Sequence, residues 1–199
     1  MDKICVVYSH GKLGDLIWQL PYIKAISDFH NQKVTILTRP STHAKILYSD
    51  LSYVEEIIYN TFKKNLYYWI EVIRLWIIFK IKNFNYVYLL DKVSRPAIAA
   101  RLAGVKNVVG VGIGNQKRWI TNNFFLNKID EKLTYSEQSQ KFLKINNIIV
   151  RNFFPEIFIS KKRLDLLNIN LHPDKNFKVR SEEHTSELQS HLNRMPSSA

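Results

Sequence analysis

The sequence predicts an α/β architecture built on a doubly wound, mostly parallel sheet, and three observations carry that prediction. Short apolar runs rich in β-branched and aromatic residues alternate with segments of helical periodicity from Ile4 to Val111. The first run, Ile4 to Tyr8, leads through SHGKLGD into Leu16, Ile17, Leu20, Ile23 and Ile26 at helical spacing, so a strand, a glycine-containing loop and a helix follow directly on one another. A chain of 199 residues that is 46% hydrophobic and 13% aromatic can bury one sizeable core. In such a sheet ligands bind where helices leave the carboxyl ends of the strands, and the stretch Ser9 to Pro21 is the first such joint.

The elements follow in order. Asp15 to His30 is expected to be one helix, with Gly11 and Gly14 turning the backbone before it and Asp15 in the N-cap position. Lys33 to Thr38 is the second strand, Arg39 to Thr42 a turn, His43 to Ser49 a short helix, and Val54 to Tyr59 the third strand. A long helix is expected from about Lys63 to Lys82, with Leu66, Ile70, Ile73 and Ile77 on one stripe and Tyr67, Trp69 and Trp76 broadening it. That stripe is read as packing on the sheet, in preference to lying on a membrane interface. Asn85 to Asp91 is the fourth strand, and Ser94 is expected to cap a helix that Gly104 closes. Val105 to Val111 is the fifth strand, and right-handed crossovers then make the sheet parallel. Gly110, Gly112 and Gly114 lie too close together for a dinucleotide fingerprint and read as a bend. Tyr135 to Ile145 reads as a helix, Phe153 to Ile159 as a short strand, and Lys161 to Arg163 as a solvated face.

The formal net charge of +12 and a pI near 9.7 call for an anionic partner: a phosphorylated substrate, an acidic membrane surface or nucleic acid. The single cysteine, Cys5, leaves no disulfide framework and no cysteine metal site, and no His, Asp or Glu spacing resembles a metal centre. The five-residue apolar run near the N-terminus is too short for a signal-peptide core, which fits a cytoplasmic setting. Leu66 to Ile81 is interrupted by Glu71, Arg74 and Lys80 and is not expected to cross a bilayer. Arg180 to His191, RSEEHTSELQSH, resembles the translation of a sequencing-adapter oligonucleotide. Residues 180–199 are therefore read as a non-native tail, consistent with all 25 aromatic residues preceding Arg180. Without that tail 27 basic residues face 14 acidic ones, so the basic character belongs to the domain.

Several motifs carry a family resemblance: Gly14-Asp15 with the apolar and aromatic residues after it and Pro21, then VTILTRPSTHAKIL, VEEIIYN, NYVYLLD and SRPAIAARLAGVKNVVGVG. In order and spacing they are similar to glycosyltransferase family 9, the ADP-heptose:lipopolysaccharide heptosyltransferases, from Met1 to about Asn170. That resemblance implies a GT-B fold of two Rossmann-like domains, with residues 1–170 as the N-terminal, acceptor-side domain and 171–179 opening the interdomain linker. It implies transfer of heptose, with inversion, from ADP-heptose to a lipopolysaccharide core acceptor. The resemblance implies no metal ion in the chemical step and no cofactor, and it implies that the donor is bound mainly by a C-terminal domain beyond this chain. The chain alone is accordingly expected to be inactive. Peripheral contact with the cytoplasmic face of the inner membrane joins the expected partners.

Two readings of Asp15 stay open. It is a helix cap worth roughly 1 kcal/mol, or it is the general base that takes the proton of the attacking acceptor hydroxyl. Expected acceptor contacts are Ser9, His10, Lys12 and Gly14 at the first joint, with Lys92, Ser94, Arg95, Gln116, Lys117 and Arg118 after the fourth and fifth strands. Ser9 departs from the family pattern, in which a basic residue often stands six positions before the aspartate. The competing function class is a non-catalytic α/β domain that binds polyanions or nucleic acid; its charges are scattered rather than striped, and no nucleic-acid motif is present.

Overall fold

The computed structural model describes residues 2–62 and 68–157. Residues 63–67, the expected end of the last strand, the linker at 171–179 and the adapter-like tail at 180–199 lie outside the described residues.

Five strands, β1 (Ile4–Val7), β2 (Val34–Thr38), β3 (Val54–Tyr59), β4 (Tyr86–Leu89) and β5 (Asn107–Gly110), form one sheet in the order β3-β2-β1-β4-β5. Every pairing is parallel, and β1 sits at the centre with Ile4 to Val7 in register with Val34 to Leu37 on one side and Tyr86 to Leu89 on the other. All four β1 residues are buried, as a strand covered on both faces must be. Ile4, Val6 and Tyr8 point into a core shared with α1 (Leu13–Ile17), α2 (Leu20–His30), α3 (Ala44–Tyr48) and α6 (Tyr135–Ile145). Cys5 and Val7 point into a second core beneath α4 (Tyr68–Lys82) and α5 (Ser94–Leu102). Burial pushes the Cys5 thiol far above its ordinary value, so it is a protonated core side chain. Strand order reverses between β1 and β4, and the crevice at their carboxyl ends is the topological switch point.

Five expectations need correction. The helix foreseen from Asp15 to His30 is two helices, because Pro21 has no N–H to offer the Ile17 carbonyl. The chain tightens there, with Gln19 N–H bonding Leu16 O at 3.0 Å, and α2 restarts with Pro21 in its first turn. Asp15 is not an N-cap: α1 begins at Leu13 after Lys12, which puts Asp15 third in the helix. Ser94 is likewise the first residue of α5 rather than its cap: the cap position is Val93, which makes no side-chain capping bond, and its own N–H donates to Asp91 Oδ1 at 3.0 Å in the loop before the helix. Residues 153–157 form no strand, and Phe154 is exposed.

The fifth correction concerns α4. Its sheet-facing stripe is Val72, Leu75 and Phe79, together with the buried Glu71, whereas Trp69, Ile70, Ile73, Trp76 and Ile77 are all exposed. A helix apolar on nearly every side gives periodicity no means of choosing which stripe packs.

Candidate active site at the switch point

The loop after β1 and the loop after β4 are tied to each other by the carboxylate of Asp91. Its Oδ2 accepts the Ser9 N–H at 2.5 Å while its Oδ1 takes Val93 N–H, all in a buried setting. Gln116, fully buried, braces the same place: its Nε2 donates to Asp91 O at 2.8 Å and Val93 O at 3.1 Å, and its Oε1 accepts Gly112 N–H at 2.8 Å. Gly112 is required here, because its φ of 73° is left-handed and a Cβ would lie 2.3 Å from Phe125 Cβ. On the other side Arg39 Nε donates to Ser9 O and its Nη2 to Phe62 O at 3.1 Å, while Ser41 Oγ donates to Gly11 O at 2.8 Å. The loop from Ser9 to Lys12 is therefore fixed from both flanks.

Asp15 projects from α1 into this clamped region and is partly exposed. No described residue forms a hydrogen bond or ion pair with its carboxylate. Below it lies Tyr8, whose buried hydroxyl has no hydrogen-bond partner among the described residues. Burial first, then the charges of Asp15 and Asp91 and the neighbouring Tyr135, push the Tyr8 phenol far up, so it holds its proton. Asp15 in α1, after β1, and Asp91, just after β4, follow neighbouring strands at the carboxyl edge of the sheet.

The other expected residues divide into two groups. Arg95 is buried, paired with the Glu71 carboxylate and stacked 5.7 Å from the Tyr68 ring, and Gln116 has its amide engaged by backbone; both hold the frame. Ser94 lies 3.4 Å from the Tyr68 hydroxyl. Ser9 is buried and acts through its backbone. By contrast Lys12, Gly14, Lys92, Lys117 and Arg118 are exposed at the carboxyl edge, Lys92 only 3.9 Å from Glu131 and Lys117 over the Phe125 ring at 4.1 Å. His10 is half-buried, its ring 4.1 Å from that of Tyr135 and 5.1 Å from that of Tyr8.

Tyr135 was not foreseen as part of the site. It opens α6, whose Thr134–Glu137 capping box fixes the helix start, and buried Gln19 holds α6 to the break between α1 and α2. Gln19 Nε2 donates to Tyr135 O at 3.3 Å and its Oε1 accepts from Ser139 Oγ at 2.7 Å. Lys92, Glu131, Leu133, Thr134, Tyr135 and Gln138 line a hollow of about 400 Å³ beside the β4–α5 loop. The signal was faint: Gln19 is a polar residue at an apolar-face position of the first helix, which marks a buried partner without saying which. No group of three or more His, Cys, Asp or Glu side chains among the described residues could hold a metal ion. No helix among them is long and apolar enough to cross a membrane.

Comparison with known proteins adds the fold's relatives. No protein-family model and no curated protein sequence matches the chain. Among solved structures, a family 9 glycosyltransferase from Veillonella parvula DSM 2008 superposes with a TM-score of 0.66 at 13% identity, over 87% of this chain and 51% of that one. ADP-heptose lipopolysaccharide heptosyltransferase II of E. coli gives 0.61 at 15% identity, over 87% of this chain and 52% of that one. E. coli heptosyltransferase WaaC, solved with ADP-2-deoxy-2-fluoro heptose, gives 0.55 at 14% identity over 77% and 51%. The chain spans about half the length of each of these structures. At such identities the likeness is one of fold, and the Rossmann-like, all-parallel sheet described here is the fold of one half of a GT-B glycosyltransferase.

Proposed function

We propose that the chain is the N-terminal, acceptor-side half of a heptosyltransferase, in which Asp15 is the general base. The observation that carries this reading is the state of the Asp15 carboxylate: it stands at the switch point of a glycosyltransferase-like fold, in the short helix that follows a clamped loop, with no partner among the described residues. An acceptor hydroxyl held there gives its proton to Asp15 as its oxygen attacks the anomeric carbon of the nucleotide-sugar donor from the opposite side. The nucleoside diphosphate leaves with the bonding electrons, and the anomeric centre inverts. Lys12, Lys92, Lys117 and Arg118 supply positive charge for the phosphates and carboxylates of a lipopolysaccharide core, and His10 with Tyr135 offers a flat surface for a sugar face.

Titrating the chain with phosphorylated core oligosaccharide tests the acceptor half of the reading. Lys117→Ala together with Arg118→Ala should weaken binding about tenfold or more, since each exposed charge-assisted contact is worth on the order of 1 kcal/mol, and the melting temperature should hold. Unchanged affinity removes these residues from the site. Turnover of ADP-heptose by the chain alone would overturn the assignment of donor binding to a second domain. Steeply salt-dependent binding to generic DNA, with no affinity for core oligosaccharide, would replace this reading with polyanion binding.

A further inference from the structure

The hollow of about 400 Å³ between the β4–α5 loop and the start of α6 is of the size in which small molecules are held. Its walls differ from the rest of the basic edge. Lys92, unlike Lys12, Lys117 and Arg118, has an ion-pair partner among the described residues, the exposed Glu131 at 3.9 Å. Gln138 is buried, and only half of its amide is committed. Its Nε2 donates to Leu133 O at 2.8 Å and to Glu131 O at 3.5 Å, while its Oε1 has no hydrogen-bond partner among the described residues. Both groups facing Nε2 are carbonyls, so the amide cannot be turned round. A buried carbonyl oxygen ordinarily has a donor, and Gln138 lines the hollow.

The aromatic wall is fixed in place. Tyr135 is the first residue of α6, where the Thr134–Glu137 capping box sets the helix start and Gln19 Nε2 holds the Tyr135 carbonyl. Its ring leans on His10 at 4.1 Å and is 37% exposed. These walls select against charge. An anion in the hollow meets the Glu131 carboxylate and the Gln138 carbonyl oxygen, and a cation meets the Lys92 ammonium. An uncharged group with adjacent hydroxyls suits all three, because each hydroxyl both donates and accepts. One hydroxyl can give its hydrogen to Gln138 Oε1 or Glu131 while the next accepts from Lys92, and the C–H face of the ring that carries them lies against Tyr135.

We propose that this hollow is a separate subsite for an uncharged sugar residue of the acceptor, with the sugar ring on Tyr135 and its hydroxyls on Gln138, Glu131 and Lys92. The inference rests on the reading of the chain as an acceptor-side half, and it divides that acceptor into an anionic part at Lys117 and Arg118 and a neutral part here. It is tested by titrating the 199-residue chain with phosphorylated core oligosaccharide and with the same oligosaccharide after phosphatase treatment. The treated form should still bind, more weakly. Tyr135→Ala should lower the affinity for both forms at least fivefold and by the same factor, while Tyr135→Phe should hold it within twofold. Both variants should melt with the parent. Lys117→Ala/Arg118→Ala, by contrast, should lower the affinity for the phosphorylated form alone. If Tyr135→Ala melts lower, Glu131→Ala decides, since that carboxylate pairs with Lys92 alone among the described residues; it too should weaken both forms by one factor.

Three results would overturn the proposal. Unmoved affinities in Tyr135→Ala and Glu131→Ala would remove the hollow from acceptor binding and leave the heptosyltransferase reading standing. A loss confined to the phosphorylated form would mean that the hollow takes a phosphate. A parent that binds neither form would overturn the acceptor reading itself, and the subsite with it.

Discussion

Asp15 and Asp91 are two aspartates at one edge of one sheet, and they have opposite situations. Asp91 is buried with both carboxylate oxygens committed to backbone N–H groups of Ser9 and Val93. Asp15 is partly exposed and has no polar partner among the described residues. A carboxylate whose lone pairs are occupied from two directions can fix a backbone but cannot accept a substrate proton; one with open lone pairs in a helix led by an anchored loop can. Residue type and nearness to the carboxyl edge do not separate the two roles. The hydrogen-bond inventory does, and the committed aspartate is what holds the loop leading to the open one.

The same substitution at both positions should therefore give opposite results. In the two-domain enzyme proposed above, Asp15→Asn is expected to reduce turnover by roughly 10²- to 10⁴-fold, the usual worth of a general base, with little change in melting temperature. Parent-level turnover would reduce Asp15 to a residue of the first helical turn. Asp91→Asn keeps one acceptor oxygen but turns an amide toward the other donor, so a buried N–H loses its partner at a cost of about 1–3 kcal/mol. In a domain of this size that lowers the melting temperature by about 2–4 °C for each kcal/mol. If Asp91→Asn melts like the parent yet loses turnover, the two aspartates have exchanged the roles assigned to them.

The strands were legible, because a parallel sheet buried on both faces demands continuous β-branched runs and the helices between them show a different period. β3 falls on Val54–Tyr59 as the sequence indicates, and β2 and β4 shift only at their ends. What could not be read is whatever depends on a distant partner. Arg95 and Gln116 look like surface residues in a basic, polar stretch, but Glu71 and the β4–α5 backbone draw them inward across 24 and 25 residues of sequence. The α4 stripe failed for a related reason: Ile70, Ile73 and Ile77 form as good a helical stripe as Val72, Leu75 and Phe79, and only the sheet decides between them. Asp91 reads as a strand end, but its bonds to the Ser9 and Val93 N–H groups depend on a loop shape that sequence does not display.

The two glycines of the first loop offer the smallest and most selective test of the contrast. A Cβ at Gly11 would meet Ser41 Oγ at 3.0 Å and Arg39 Cδ at 3.1 Å, so Gly11→Ala pushes on the Arg39 clamp and should cost stability. A Cβ at Gly14 meets nothing within 4 Å, and the residue lies in α1 without a left-handed φ, so the fold does not require glycine there. Gly14→Ala should instead stabilise the domain by up to about 1 kcal/mol, the difference in helix propensity, for a rise of a few degrees at most. A glycine that the fold would be better without, next to an aspartate with open lone pairs, is explained if the empty space belongs to a ligand. The added methyl should then raise the KM for the acceptor several-fold while the donor KM holds, so the variant gains stability and loses acceptor affinity together. A higher melting temperature with both KM values unmoved would mean that the space beside Asp15 is plain solvent, and the acceptor would have to be sought nearer His10 and Tyr135.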